Sequence, residues 1–416
     1  MTRDSFTTGD SFTTGDTCST GDTFTAEGIC STGDTFTAGD TTPPTGTART
    51  RRDIFFVSNS VDELGGVTTW SHQMARLFCE RGHRVHVVGI RPAPDDRRQY
   101  LGSRPPYRTS TLYDAEPEKG RTPATMAVPA ARLRDIFEEA PPGAVVICTQ
   151  IWAMEWVALA RTEGHTFIGM SHESYRGTRY SSRFNRVKRY YRDVDRMLPL
   201  TREDADLWIR HADMNNVGYM PNPLPALPDE PSLRTENVVT SIGRLDDQKG
   251  IDMLLDTWAE VAPLHPDWRL RIYGRAEEPE DELRLRAQCA ELGLDASVEW
   301  CGTTSDVPEA LRGGSVFVQS SRFEGFPLAL MEAMAAAVPC AAFDCAPGVR
   351  EIVSDGVDGL LAAPGSTSEL ARHLDTLLAD KALRDRMGEA ARKNIQRYGT
   401  DEIVHRWERL FAFLER

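Results

Sequence analysis

Val316-Phe317-Val318-Gln319 runs directly into Ser320-Ser321-Arg322-Phe323-Glu324-Gly325-Phe326-Pro327, and that into Leu328-Ala329-Leu330-Met331-Glu332-Ala333-Met334. The first run is short, apolar and β-branched, which predicts a buried strand. Pro327 suits a first helical position, and the Ala, Leu and Met that follow predict a helix from Leu328 to Ala337. The unit is strand, Gly-Phe turn, helix. A helix N-terminus offers unpaired amides and partial positive charge, a setting that suits a diphosphate. Glu332 lies five residues past Pro327, roughly 7 Å along the axis at about 1.5 Å per residue. A carboxylate there could take the two hydroxyls of a ribose whose phosphate sits at the helix mouth. Glu324, in the turn, would face whatever hangs beyond the phosphates. Either Glu alone also reads as a solvated charge. Their combination with a nearly charge-free helix, and with two cations some eighty residues earlier, points to a nucleotide-sugar site.

Those cations are Arg244 and Lys249, five residues apart in Gly243-Arg244-Leu245-Asp246-Asp247-Gln248-Lys249-Gly250. The loop follows the predicted strand 238–242 and precedes a predicted helix 251–261. Two cations beside a helix N-terminus make a strong diphosphate site, each charge-assisted hydrogen bond adding about 1.5–3 kcal/mol. Strands are also expected at 269–273, 298–300 and 340–343, and an amphipathic helix at 400–416 closes the chain.

The first half alternates in the same way. Strand 54–57, the glycines of Leu64-Gly65-Gly66-Val67, a helix from about 68 to 81 and strand 85–88 form a βαβ opening. Gly65 and Gly66 read equally as a tight turn or as a close approach to a ligand. The pattern is not the GxGxxG fingerprint, which argues against a nicotinamide cofactor. Strands at 145–148 and 166–170 follow, with a helix 152–161 between them. The second of these strands delivers Ser171-His172-Glu173 at its C-terminal end, where open α/β sheets place ligand groups. His172 stands evenly between a structural and a functional role. Residues 91–128, rich in Pro, Arg and Asp, read as a surface excursion. Alternating strands and helices throughout predict an α/β chain with two parallel sheets. The boundaries expected are a low-complexity, disordered tail over 1–50, a Rossmann-like domain over 51–222, a second over 223–396 after the Pro221–Pro228 linker, and a closing helix over 397–416.

Composition bounds the function. With 416 residues there is room for two full cores, and a net charge of −14 argues against nucleic acid as a partner. No run reaches the about 18 apolar residues of a spanning helix. The eight Cys show no CxxC pair and suit reduced thiols, and so a cytoplasmic protein. Arg176 to Arg192 carries seven basic residues and no acidic one, interleaved with Tyr and Phe. It reads first as a solvated helix and second as a surface that docks on an anionic membrane or a phosphate-bearing acceptor. Asp193-Val194-Asp195 imitates a metal-binding DxD but leads straight into a strand, so turn and cap roles are expected there.

The second half resembles the retaining nucleotide-sugar glycosyltransferases of family 4. The resemblance is carried by Gly243-Arg244-Leu245 with Gln248-Lys249-Gly250, by Glu324-Gly325-Phe326-Pro327-Leu328 with Glu332-Ala333-Met334 (the Glu-x7-Glu pattern), and by Gly348-Val349-Arg350-Glu351 with Gly356-Val357-Asp358-Gly359. It is weaker at Gly65-Gly66 and His172. The resemblance implies a GT-B fold: two Rossmann-like domains facing a cleft, the C-terminal helix closing back toward the first. It implies that Arg244 and Lys249 hold the donor diphosphate, that Glu332 binds the ribose, and that Glu324, with the backbone of Gly325, Phe326, Pro327 and Leu328, positions the sugar. His172 would touch that sugar from the other domain, and Gly65-Gly66 would line the phosphate and acceptor side. Transfer to a hydroxyl acceptor (glycan, lipid-linked or small-molecule) would proceed with retention, with no metal and no cofactor beyond the nucleoside-diphosphate sugar. Gly274-Arg275-Ala276-Glu277 departs from the family's commoner Gly-x-Gly-Pro, and Arg275 falls where the base is read. A nucleotide-sugar epimerase of the same fold and a non-catalytic sugar-nucleotide-binding subunit are the alternatives.

Overall fold

The computed structural model describes residues 51–95, 98, 105–115 and 122–415. The 1–50 repeat and part of the 91–128 stretch lie outside the described residues. Among the described residues, twelve strands make two sheets. The first holds β1 (Asp53–Ser58), β2 (Arg84–Gly89), β3 (Arg108–Thr111), β4 (Val145–Cys148), β5 (Thr166–Ser171) and β6 (Arg196–Pro199). The second holds β7 (Val238–Ile242), β8 (Arg269–Tyr273), β9 (Val298–Gly302), β10 (Val316–Gln319), β11 (Cys340–Phe343) and β12 (Gly359–Ala362). In the first half the helices are α1 (Gly66–Glu80), α2 (Pro123–Glu138), α3 (Met154–Ala160), α4 (Tyr175–Thr178), α5 (Ser182–Tyr190) and α6 (Arg202–Ala212). In the second they are α7 (Ile251–Val261), α8 (Pro279–Glu291), α9 (Val307–Arg312), α10 (Leu328–Ala335), α11 (Pro347–Ile352), α12 (Thr367–Ala379), α13 (Lys381–Ile395) and α14 (Thr400–Leu414).

Strand order is β3-β2-β1-β4-β5-β6 in one sheet and β12-β11-β10-β7-β8-β9 in the other, so both are doubly wound with the same connectivity. Every strand pairing is parallel. The order reverses between β1 and β4 in the first sheet and between β7 and β10 in the second. Loops leaving two such strands diverge to opposite sides and open a crevice, which is where doubly wound sheets bind ligands. The loops 243–250 and 320–327 leave β7 and β10. The fold therefore aims both halves of the sequence signature into one crevice.

The described residues from 51 to 415 belong to one compact unit. The two domains share a continuous core in which Met170, Leu198 and Met220 of the first join Phe326, Leu330 and Met331 of the second. Helix α14 returns to the first domain. Trp407 and Phe411 stand 6.2 and 5.7 Å from the Phe78 ring, and Arg52 on the approach to β1 forks onto Glu415 at 2.6 and 2.8 Å. Glu351 of α11 accepts from the amides of Arg202 and Glu203 at 2.9 and 3.2 Å, so the first turn of α6 is capped from the other domain.

Several expectations are corrected. The surface excursion 91–128 contains an edge strand, β3, and the start of α2. Helix α1 begins at Gly66 with Gly65 as its cap, so the glycine pair is the helix mouth and not a loop before it. Pro327 caps α10 from outside, and the helix stops at Ala335 because Ala337 is left-handed at φ 58°. No helix of the described residues is long and apolar enough to cross a membrane.

A candidate nucleotide-sugar site at the second switch point

The loop after β7 turns through Asp246, whose carboxylate accepts from the Lys249 amide at 3.0 Å, and makes one 3-10 turn over Asp247–Lys249. Gly250 then takes φ 61°, and a Cβ there would stand 2.2 Å from the Ser320 carbonyl oxygen. Only glycine allows so close an approach of the two loops. The result is a direct bond across them: Lys249 Nζ donates to Glu324 Oε1 at 2.6 Å, and Ser321 Oγ donates to the same oxygen at 2.8 Å. Glu324 is 7% exposed, deep enough to need both partners.

Helix α10 opens beside this pair. Its cap, Pro327, has no amide, and no side chain caps the first turn. The leading amides therefore point outward with the positive end of the helix dipole. Glu332 lies on the same helix, half-buried, and its carboxylate has no hydrogen-bond partner among the described residues. Burial alone pushes its pKa up to about 7. A half-buried carboxylate with nothing to accept from is poised for a hydroxyl pair from outside.

His172 comes from the end of β5. A Cβ on Gly325 would stand 2.0 Å from the His172 carbonyl oxygen, so the first domain's strand end lies directly on the donor turn. The ring packs edge-on to Trp70 at 5.0 Å, and its buried Nε2 has no partner. Burial lowers its pKa to about 4, so the imidazole is neutral at neutral pH and offers a hydrogen bond without charge.

Arg244 goes elsewhere. Its guanidinium is 2.9 Å from Asp246 and 3.5 Å from Glu277, and it lines a cavity of about 580 Å³ with Tyr273, Gly274 and Arg275. Glu63, Leu64 and Gly65 close that cavity from the first domain. The structure thus joins Lys249, Glu324, Gly325 and the α10 mouth. It sets Arg244, Arg275 and Gly65 around an adjoining cavity, with Gly66 starting α1 behind them. Phe326 is buried against Tyr398 at 5.2 Å and supports the turn, and Leu328 is the first residue of the helix. Two contributors were given no role from sequence, Ser321 and Arg322. Both stand inside the decisive stretch, but neither spacing nor composition says which way they turn.

Two family models match side by side: "Glycosyltransferase Family 4" over residues 64–225 and "Glycosyl transferases group 1" over residues 227–394. The two models fall one on each domain, and the chain has the GT-B fold of glycosyltransferases. Among solved structures of this fold, that of S. aureus TarM with fondaparinux, alpha-GlcNAc-glycerol and UDP covers 86% of this chain and 99% of its own, at a TM-score of 0.72 and 15% identity. An uncharacterized glycosyltransferase of Haemophilus influenzae is 33% identical over 215 residues, 51% of this chain and 60% of that protein. An exopolysaccharide phosphotransferase of Streptomyces coelicolor is 37% identical over 225 residues, 53% of this chain but 24% of that protein. The chain thus spans less than two thirds of the length of these relatives.

The raised pKa of Glu332 gives a pH prediction. Were ribose hydroxyls to donate to the ionised carboxylate, affinity for UDP-glucose, which has no phosphate titrating near neutrality, should rise by about tenfold from pH 6 to pH 8. Glu332→Gln should flatten that profile. The stability sign is opposite. A carboxyl raised from 4.5 to about 7 favours the folded state at low pH, and that contribution is lost as pH rises through about 7. Glu332→Gln should therefore raise Tm at pH 8 and leave it unchanged at pH 4. Calorimetry and thermal melts check both, and a wild-type affinity flat in pH would contradict the role.

Proposed function

We propose that the chain is a retaining glycosyltransferase that moves a sugar from a UDP-sugar to a hydroxyl acceptor. The observation that carries this reading is the Lys249–Glu324 pair at the β7/β10 switch point, beside the open mouth of α10 and the unpartnered Glu332. The base enters the cavity at Arg275, the ribose meets Glu332, and the diphosphate takes the α10 amides with Lys249, joined by Arg244 once its guanidinium swings away from Asp246 and Glu277. UDP as the nucleotide is supported by its presence in the TarM structure.

Lys249 holds Glu324 and would exchange it for the diphosphate, releasing the carboxylate toward the sugar. As the glycosidic bond breaks, charge grows on the departing phosphate, so fixed cations stabilise the transition state more than the ground state. The departing phosphate oxygen would take the acceptor's proton on the face it leaves, which gives retention. Protein cations would supply the neutralisation for which other transferases use a divalent metal. Incubating the protein with UDP- and GDP-sugars and measuring free nucleoside diphosphate tests this. Sugar interconversion without release points to an epimerase, and binding without turnover to a non-catalytic subunit.

We also propose an anionic membrane contact through α4–α5, narrowed by the structure. Of the seven cations, Arg176, Arg183, Arg186 and Arg192 face Glu203, Glu173, Glu155 and Asp213. Arg179, Lys188 and Arg189 have no carboxylate within ion-pair distance among the described residues, and Tyr180 beside them is 89% exposed. Cations with an exposed Tyr favour an anionic headgroup layer, at about 1 kcal/mol per cation. Alanine at all three cations should abolish pelleting with phosphatidylglycerol vesicles. Equal pelleting would refute the contact.

A further inference from the structure

The two loops of the donor crevice come from strands that are adjacent in space but about 75 residues apart in sequence. Arg322 ties them together. Its amide donates to the Gln248 carbonyl at 2.8 Å. Its guanidinium donates to the Asp247 carbonyl at 2.9 Å and forks onto both oxygens of Asp252, in the first turn of α7, at 2.8 and 2.6 Å. Gln248 Nε2 returns a bond to the Phe323 carbonyl at 3.1 Å. The loop with Lys249 and the turn with Glu324 are thus fastened by a second set of bonds besides their own pair. The Asp252 carboxyl is held below its usual range by Arg322, as a forked ion pair requires.

We infer that Arg322 and Asp252 form a positioning pair that sets the distance from Lys249 to Glu324, and so the register between the diphosphate and sugar subsites. This rests on the transferase reading of the crevice. Neither residue touches the donor. A bidentate fork fixes both distance and orientation, which the point charge of a lysine cannot do. UDP ends at the diphosphate and spans only one side of the fastening, whereas a UDP-sugar spans both. Loss of the fork should therefore spare UDP binding and impair sugar transfer.

Arg322→Lys and Asp252→Asn test this in the full chain, with UDP titrated by calorimetry and UDP release from UDP-glucose and UDP-N-acetylglucosamine measured for turnover. Both variants keep a hydrogen-bonding group and should stay folded. Turnover should fall by about thirty- to a hundredfold, the scale of a small misplacement of reacting groups, with UDP affinity within about threefold of the parent. The double variant should be little worse than either single one, because the pair acts as a unit. Turnover within about threefold of the parent, or turnover and UDP affinity falling together as in a general loss of structure, would overturn the inference. If the parent itself ignores UDP, the transferase reading falls and this inference with it.

Discussion

Lys249→Ala should lower the rate of UDP release from a UDP-sugar at least about a hundredfold, the scale of losing one transition-state donor. Lys249 is the cation that the structure places between the acidic turn and the α10 mouth, with Nζ 2.6 Å from Glu324. Its removal has two consequences that must be separated. The diphosphate loses a charge partner, and Glu324 is left buried without its counter-ion, a state that costs several kcal/mol unless the carboxyl takes up a proton. Lys249→Ala with Glu324→Gln removes the second problem and keeps the first. If the assignment is right, the double variant regains thermal stability and not turnover. Single-variant turnover within a few-fold of the parent would contradict the role.

Gly325→Ala should be nearly as damaging, for a steric reason. The added methyl would meet the His172 carbonyl oxygen at 2.0 Å and its carbon at 3.1 Å. The obstacle is backbone at the end of β5, so no side chain can turn away. The donor turn or the strand end must move by about 1 Å, and misplacement on that scale costs on the order of a hundredfold in rate. The phosphate and ribose contacts lie within the second domain and should persist. The expected pattern is therefore a large fall in kcat with UDP affinity reduced by less than about tenfold, read by turnover and calorimetry. Unchanged kcat would show that the contact between the domains is incidental to the reaction.

Strands β7 and β8 and helix α7 fall where the sequence places them, because apolar β-branched runs and an amphipathic helix are local signals. Strand β3 gives no such signal, because Arg108-Thr109-Ser110-Thr111 is polar, as a solvent-facing edge strand can be. Helix α2 was missed because Pro129 stands inside it. In the site, Lys249 and Glu324 are each legible as a charge in a short turn just past a strand, but the ion pair between them is not. The side-chain direction of Arg244 was not, because a long flexible cation on a loop answers to through-space partners such as Glu277. Arg322 was hidden for the same reason, its partner Asp252 lying 70 residues away. In the basic segment α4–α5, composition overstated the free charge, because four of the seven cations find carboxylates contributed by other elements.

A crystal structure of the full chain grown with UDP tests the central claim most directly. The account predicts the diphosphate within hydrogen-bond distance of Lys249, Arg244 and the Leu328 and Ala329 amides, the ribose hydroxyls on Glu332, and uracil in the cavity beside Arg275. UDP bound away from the crevice between β7 and β10, or lying there with its phosphates turned from Lys249 and the α10 mouth, would contradict it.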